Sequence, residues 1–194
     1  MLGGTILMNK PKIALLIDLA SLKVSCEGFK KLLAEIEEDY DVYFVKFYSY
    51  VAKRNRDFNE FIAAKGYDAV TPVASRRRNK LDSRQIIDGT KISINSTVDY
   101  VGFAVGEGDI LPIITELKQT GKSVVEIGVE QGNYSDAFNG FIPVSESYLR
   151  DGYTAPTKKR ERKAPKKAAP KAGEAYTAEV NRIFEGKSIL SKYR

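Results

Sequence analysis

Histidine is absent from this 194-residue chain, and cysteine occurs once, at Cys26. The first absence removes every imidazole-based mechanism and most zinc sites, and the second rules out an internal disulfide. No stretch approaches the roughly 18 uninterrupted apolar residues of a membrane span. The N-terminus also lacks the basic flank, apolar run and cleavage site of a secretory signal. The chain is therefore expected to be intracellular, cytoplasmic and free of the membrane. Any catalysis is left to carboxylates, lysines, hydroxyls or a hard cation.

What is present supports one core. Hydrophobic residues make up 43% of the chain, and the length falls within the ~100 to 200 residues usual for a domain, here expected over residues 1–152. The net charge of +6 is unevenly placed. Residues 158–171 hold eight bases and one acid, and residues 172–194 add a net +1, which leaves −2 for residues 1–157. Basicity belongs to the tail, and the general field of the body will not itself draw in nucleic acid. Residues 153–173, rich in Lys, Arg, Pro and Ala, read as a disordered or extended basic linker. Residues 174–194 read as a short helix or tail, whose Val180, Ile183 and Phe184 need a surface or a partner to fold against.

Lys12 to Asp18 is a short apolar run ending in an acid, the pattern of a parallel strand buried on both faces. Phe29, Leu32, Leu33 and Ile36 recur at helical spacing over residues 25–38, which puts Cys26 on a first turn as a small buried thiol. Val42 to Tyr48 is a second strand. A helix from Arg54 to Lys65 follows, which Gly66 ends in a left-handed cap. Ala69 to Val73 is a short third strand, Ser75 to Lys80 a basic loop, and Asp82 to Ile94 a helix. Asp99 to Val105 is the fourth strand, Pro112 to Gln119 a helix closed by Gly121, and Ser123 to Ile127 the fifth strand. Ser135 to Asn139 is a short helix before a last strand, Phe141 to Val144. Strands alternating with helices imply an α/β domain of three layers, Rossmann-like, with a mostly parallel central sheet and right-handed crossovers covering both faces.

Several acids fall where such a sheet places ligands, outside the carboxyl ends of its strands. Each also has a plain structural explanation. Asp82, with Gln85 three residues on, has the form of a capping box. Asp88 follows Arg84 at i+4, the spacing of an exposed ion pair. Asp109 suits the N-cap of the next helix. Asp18 is harder to explain this way, because an acid at the rim of a buried strand pays for desolvation. With strand order 3-2-1-4-5, Asp18 and the Glu107-Gly108-Asp109 turn follow neighbouring strands, and Asp82 opens the helix after the third. Carboxylates so gathered repel one another unless a cation sits among them. Oxygen-only ligation is what Mg2+ or Mn2+ prefers, and such a metal polarises a phosphoryl oxygen and generates the attacking hydroxide.

The order of these segments resembles the NYN domain family of PIN-like nucleases, in particular its LabA-like branch, over about residues 12–149. Ile17-Asp18 closes the first strand, with Ser21 where the family has Asn. Asn79-Lys80-Leu81-Asp82 through Ile87-Asp88-Gly89 matches the central motif of two Asp residues six apart. Val105-Gly106-Glu107-Gly108-Asp109-Ile110, then Leu111-Pro112 and Gly121-Lys122, matches the third motif, with Glu107 in place of an Asp. The resemblance implies a PIN-like fold and metal carboxylates at Asp18, Asp82, Glu107 and Asp109, with Asp88 and Ser21 supporting. It also implies Mg2+ or Mn2+ as cofactor and RNA, single-stranded, as substrate. Arg76, Arg77, Arg78 and Lys80 sit beside that site in sequence and suit phosphates, and the basic tail suits weak polyanion contact.

Three functions follow as expectations. The first is a metal-dependent ribonuclease. The second is a catalytically weakened module that binds RNA or a protein partner, the C-terminal helix docking the latter. The third is a metal-dependent phosphatase, which has no use for the basic tail.

Overall fold

The computed structural model describes residues 10–72, 81–104 and 109–151. Lys12–Asp18 forms β1, and Ile13 to Ile17 are fully buried, as a run without polar interruption requires at the middle of a sheet. Next comes a single helical turn, α1, Leu19–Leu22, whose N-cap is Asp18. Helix α2, Cys26–Asp39, is capped by the Ser25 hydroxyl on the Gly28 amide, and its Phe29, Leu32, Leu33 and Ile36 face inward. Cys26 is buried on its first turn.

Strand β2, Asp41–Tyr48, leads to α3, Arg56–Lys65, and Gly66 ends that helix at φ 66°. Strand β3 is reduced to Asp68–Ala69 within the described residues. Then follow α4, Ser83–Ser93; β4, Tyr100–Ala104; α5, Leu111–Gln119; and β5, Ser123–Gly128. A 3-10 turn at Ser135–Ala137 precedes β6, Gly140–Pro143, so the short helix expected there is tighter and shorter. The basic linker, the C-terminal helix and the end of the third strand at Val73 lie outside the described residues.

All six strands are parallel, in the order β3-β2-β1-β4-β5-β6. Chain direction across the sheet reverses between β1 and β4, the switch point where doubly wound sheets open a crevice at the strands' carboxyl ends. Helices α2 and α3 cover one face, where Phe29, Phe47 and Phe58 pack with ring centroids 5.0 to 6.1 Å apart. Helices α4 and α5 cover the other, through Ile92, Ile113, Ile114 and Leu117 over Leu16, Val101, Phe103 and Val124. The result is a three-layer α/β fold of PIN-like type, as the motif order implies. After β6 the chain returns to pair Leu149 with Val24, just beyond the exit of β1.

Candidate functional site

Of the acids expected to act, Asp18 ends β1, Asp82 caps α4, Asp88 lies on that helix and Asp109 precedes α5. Asp18 is 5% exposed. Its Oδ1 accepts from the Ala20 amide at 3.0 Å and its Oδ2 from the Ser21 hydroxyl at 2.7 Å. Ser21 therefore holds the carboxylate in place from the next turn of chain. In the β1–β2 pairing Asp18 stands opposite Tyr48, and neighbours in register on parallel strands project to the same face.

Tyr48 links the edge to α4. Its ring is fully buried and its hydroxyl donates to Asp88 Oδ2 at 2.7 Å. Lys46, two residues back on the same face of β2, reaches Asp88 at 3.0 Å and Asp68 of β3 at 2.8 Å. Burial alone would lower the Lys46 pKa, but its bonds to Asp68 and Asp88 outweigh that and hold it above the ordinary value. Burial, then the Asp88 carboxylate, with smaller contributions from Asp82 and Asp68, push the Tyr48 hydroxyl upward, so it stays a proton donor. Asp88 is thus bonded to both Tyr48 and Lys46, and Lys46 links it to Asp68.

Asp82 is the N-cap of α4. Its Oδ1 accepts from the Arg84 amide at 3.0 Å and from Arg84 Nε at 2.9 Å, while Oδ2 accepts from Arg84 Nη2 at 2.5 Å. This guanidinium fork is the main reason the Asp82 pKa lies below the ordinary carboxylate value. The cap is as expected, but the capping box is half formed, because the Gln85 side chain does not return to the cap. The exposed Arg84–Asp88 pair suggested by i+4 spacing is replaced: Arg84 pairs with Asp82, and Asp88 turns toward β2. Asp109 is exposed and accepts from the Leu111 amide at 3.2 Å, but it is not the expected N-cap: it stands one residue before Ile110, which takes that position in α5 without a side-chain cap. Glu107 and the basic group Arg76, Arg77, Arg78 and Lys80 lie outside the described residues.

Gln85 is 1% exposed, and neither Nε2 nor Oε1 of its amide makes a hydrogen bond. It lies one helical turn before Gly89, which faces Phe103 of β4 and Ile113 of α5. Sequence reading singled out neither Tyr48, Lys46, Arg84 nor Gln85 as a site residue. A lysine between the apolar Val45 and Phe47 of β2, and a glutamine on the inward face of α4, were the available signals.

Among the described residues, no three acids or thiols stand close enough to share a metal ion. The kind of donor still suits a hard divalent cation. Asp18, Asp82 and Asp109 offer carboxylate oxygens alone, and the Gln85 amide of α4 is buried without a partner. What stands at Asp82 and Asp88 at present are the chain's own cations, Arg84 and Lys46.

No helix among the described residues is long and apolar enough to cross a membrane. An uncharacterized protein of Methanocaldococcus jannaschii is 28% identical over 86 residues, 42% of this chain and 35% of that one. The match thus spans about a third of that relative's length. A crystal structure of an oxidoreductase from Thermotoga maritima aligns with 61% of this chain and 30% of its own, at 15% identity and a TM-score of 0.32. One of S. aureus homoserine dehydrogenase aligns with 64% of this chain and 27% of its own, at 13% identity and a TM-score of 0.35. The model of the NYN domain matches residues 12–145, from the start of β1 to just past β6. With that match covering well over half its length, and with a parallel sheet that sets Asp18 at the switch point, this chain belongs to the NYN domain family.

Proposed function

We propose that this chain is an endoribonuclease of the LabA-like branch, dependent on Mg2+ or Mn2+ and acting on single-stranded RNA. In this reading Asp18, Asp82, Glu107 and Asp109 hold the cation, Ser21 and Asp88 support them, and Arg76, Arg77, Arg78 and Lys80 steady the RNA backbone. The observation that carries it is Asp18. This carboxylate, 5% exposed and held by Ala20 and Ser21, ends the central strand of an NYN domain at the edge where doubly wound sheets bind their ligands. A bound Mg2+ or Mn2+ would supply Lewis-acid polarisation of a phosphoryl oxygen.

The chain's own residues do the rest. Ser21 fixes the rotamer of Asp18 through a 2.7 Å hydrogen bond, so the carboxylate is oriented before substrate arrives. Asp82 has its pKa held below the ordinary carboxylate value by the Arg84 fork. Tyr48 and Lys46 fix Asp88, and with it the first turns of α4, against β2.

The deciding experiment incubates the full chain with single-stranded RNA and Mn2+ beside an Asp18→Asn variant. Cleavage by the wild-type protein, lost in the variant, is expected. Equal cleavage by both, or none by either, removes the nuclease reading.

One observation favours a second reading, a catalytically weakened module that binds RNA or a protein. Both oxygens of Asp82 are already engaged by Arg84. That module would bind RNA in a salt-sensitive manner, unaffected by Asp18→Asn and weakened by removal of residues 158–194. Binding that survives the deletion counts against it.

A further inference from the structure

Arg84 occupies an unusual position for a basic residue in an acidic edge. It lies two residues after Asp82, and its fork spans both carboxylate oxygens through Nε at 2.9 Å and Nη2 at 2.5 Å. The same Nη2 also donates to the Thr71 carbonyl at 2.5 Å, which ties the guanidinium to the segment after β3. The Asp82 side chain is 10% exposed and that of Arg84 29%. The pair is thus partly shielded, and its geometry is the planar bidentate one that arginine makes best.

Oδ1 of Asp82 already accepts two donors and Oδ2 one, so a cation that binds through Oδ1, or through both oxygens, competes directly with the fork. We propose that Arg84 is a built-in counter-ion that holds the Asp82 carboxylate in the absence of a divalent cation and must surrender it when one binds. The proposal rests on the reading of this edge as a cation site. It assigns Arg84 a role that the helix-cap and ion-pair explanations do not: setting the cation concentration at which Asp82 becomes available. Binding at Asp82 then has to overcome the bidentate pair and its tether to Thr71, so the site fills at higher cation concentration than its carboxylates alone would require. The Asp82–Arg84 backbone bond is separate from this competition, because the amide donates along the helix axis as an N-cap bond. Losing the guanidinium therefore leaves α4 capped, and a variant at Arg84 should fold.

Calorimetric titration of Mn2+ into the full chain, at fixed ionic strength and without nucleic acid, tests this. Four proteins are compared: wild type, Arg84→Gln, Arg84→Lys and Lys91→Gln. Lys91 is on the same helix, is exposed and pairs with Asp88 at 3.8 Å rather than with Asp82, so its variant removes one positive charge and leaves the fork intact. The expected result is Mn2+ affinity about fivefold higher in Arg84→Gln, the size of a good partly exposed ion pair. Arg84→Lys should lie between it and wild type, and Lys91→Gln within about twofold of wild type. Equal affinity in wild type and Arg84→Gln, or an equal gain in Lys91→Gln, overturns the counter-ion role while the cation site stands. Absence of saturable Mn2+ binding in both wild type and Arg84→Gln overturns the cation site and the counter-ion role together. Thermal melts of all four proteins identify any variant that has lost its fold, and Arg84→Lys serves where Arg84→Gln does not fold.

Discussion

Tyr48 Oη donates to Asp88 Oδ2 at 2.7 Å, a single bond that joins the last residue of β2 to the middle of α4 across the sheet. Tyr48→Phe should lower stability by about 1.5 kcal/mol, the size of a hydrogen bond to a charged group. Asp88 keeps Lys46 as a partner in that variant. Asp88→Ala should cost more, about 3 kcal/mol, since it strands both the buried hydroxyl and one side of Lys46. Urea unfolding measures both, and a Tyr48→Phe midpoint at or above the wild-type value would remove the bond from the account.

Replacing Gln85 separates a structural from a ligand-binding amide. In the protein alone its two polar atoms are buried without hydrogen bonds, so Gln85→Leu should raise stability by about 1 kcal/mol. A loss of stability in Gln85→Leu would mean that a bound group satisfies the amide in solution.

Glu126 gives a pH signature. It lies on β5, 7% exposed, with Oε1 accepting from the Gly132 amide at 2.8 Å and Oε2 unpartnered. Burial, only partly offset by that amide, raises its pKa above the ordinary 4.5. The folded state therefore holds the proton more tightly than the unfolded chain, and stability is lost as pH rises from about 4.5 through the raised value. Glu126→Gln should be more stable than wild type at pH 7, by on the order of 1 kcal/mol, with the gain fading below pH 4.5. A difference that stays constant across that range would contradict the assignment.

Asp82 behaves in the opposite sense. Its pKa is lowered below 3.8, chiefly by the Arg84 side chain, so its contribution is complete above that value and is lost as pH falls through the folded pKa. Asp82→Ala should cost about 1 to 2 kcal/mol at neutral pH for the lost cap and fork, and the gap to wild type should narrow below pH 3.8. Chemical unfolding at pH 7 and at acid pH reads the difference.

Much of the fold was legible because its strands carry unbroken apolar runs. Ile13 to Ile17 could only be a strand buried on both faces, and the helices over Phe29 to Ile36 and Phe58 to Ile62 followed from their spacing. Alternation of strand and helix implied a parallel sheet but not its order; the order 3-2-1-4-5, taken as a condition, is the one found, with β6 added beyond β5. Side-chain pairing was not legible in the same way. Spacing at i+4 pointed Arg84 at Asp88, but Asp82 offers both a closer carboxylate and a helix cap, and Asp88 is drawn inward by Lys46 and Tyr48 from a strand forty residues earlier. Long-range partners of this kind depend on tertiary register, which local spacing does not carry. Glu126 was hidden for a related reason: within Val124 to Ile127 it reads as a polar interruption of a strand, and its burial comes from the Gly132 turn folding back onto it.

The spacing between α4 and α5 is set by what Gly89 lacks. A Cβ there would fall 2.7 Å from Ile113 Cγ1, while Phe103 Cζ, at 3.6 Å, would be in ordinary contact. A methyl group at this position would act as a shim between the two helices. It would push α4, and with it Asp82, Gln85 and Asp88, sideways from α5 without altering any of those side chains. Gly89→Ala is thus a change of spacing alone, and cleavage lost in that variant would measure how narrowly the acidic edge tolerates a shift of the helix that carries half of it.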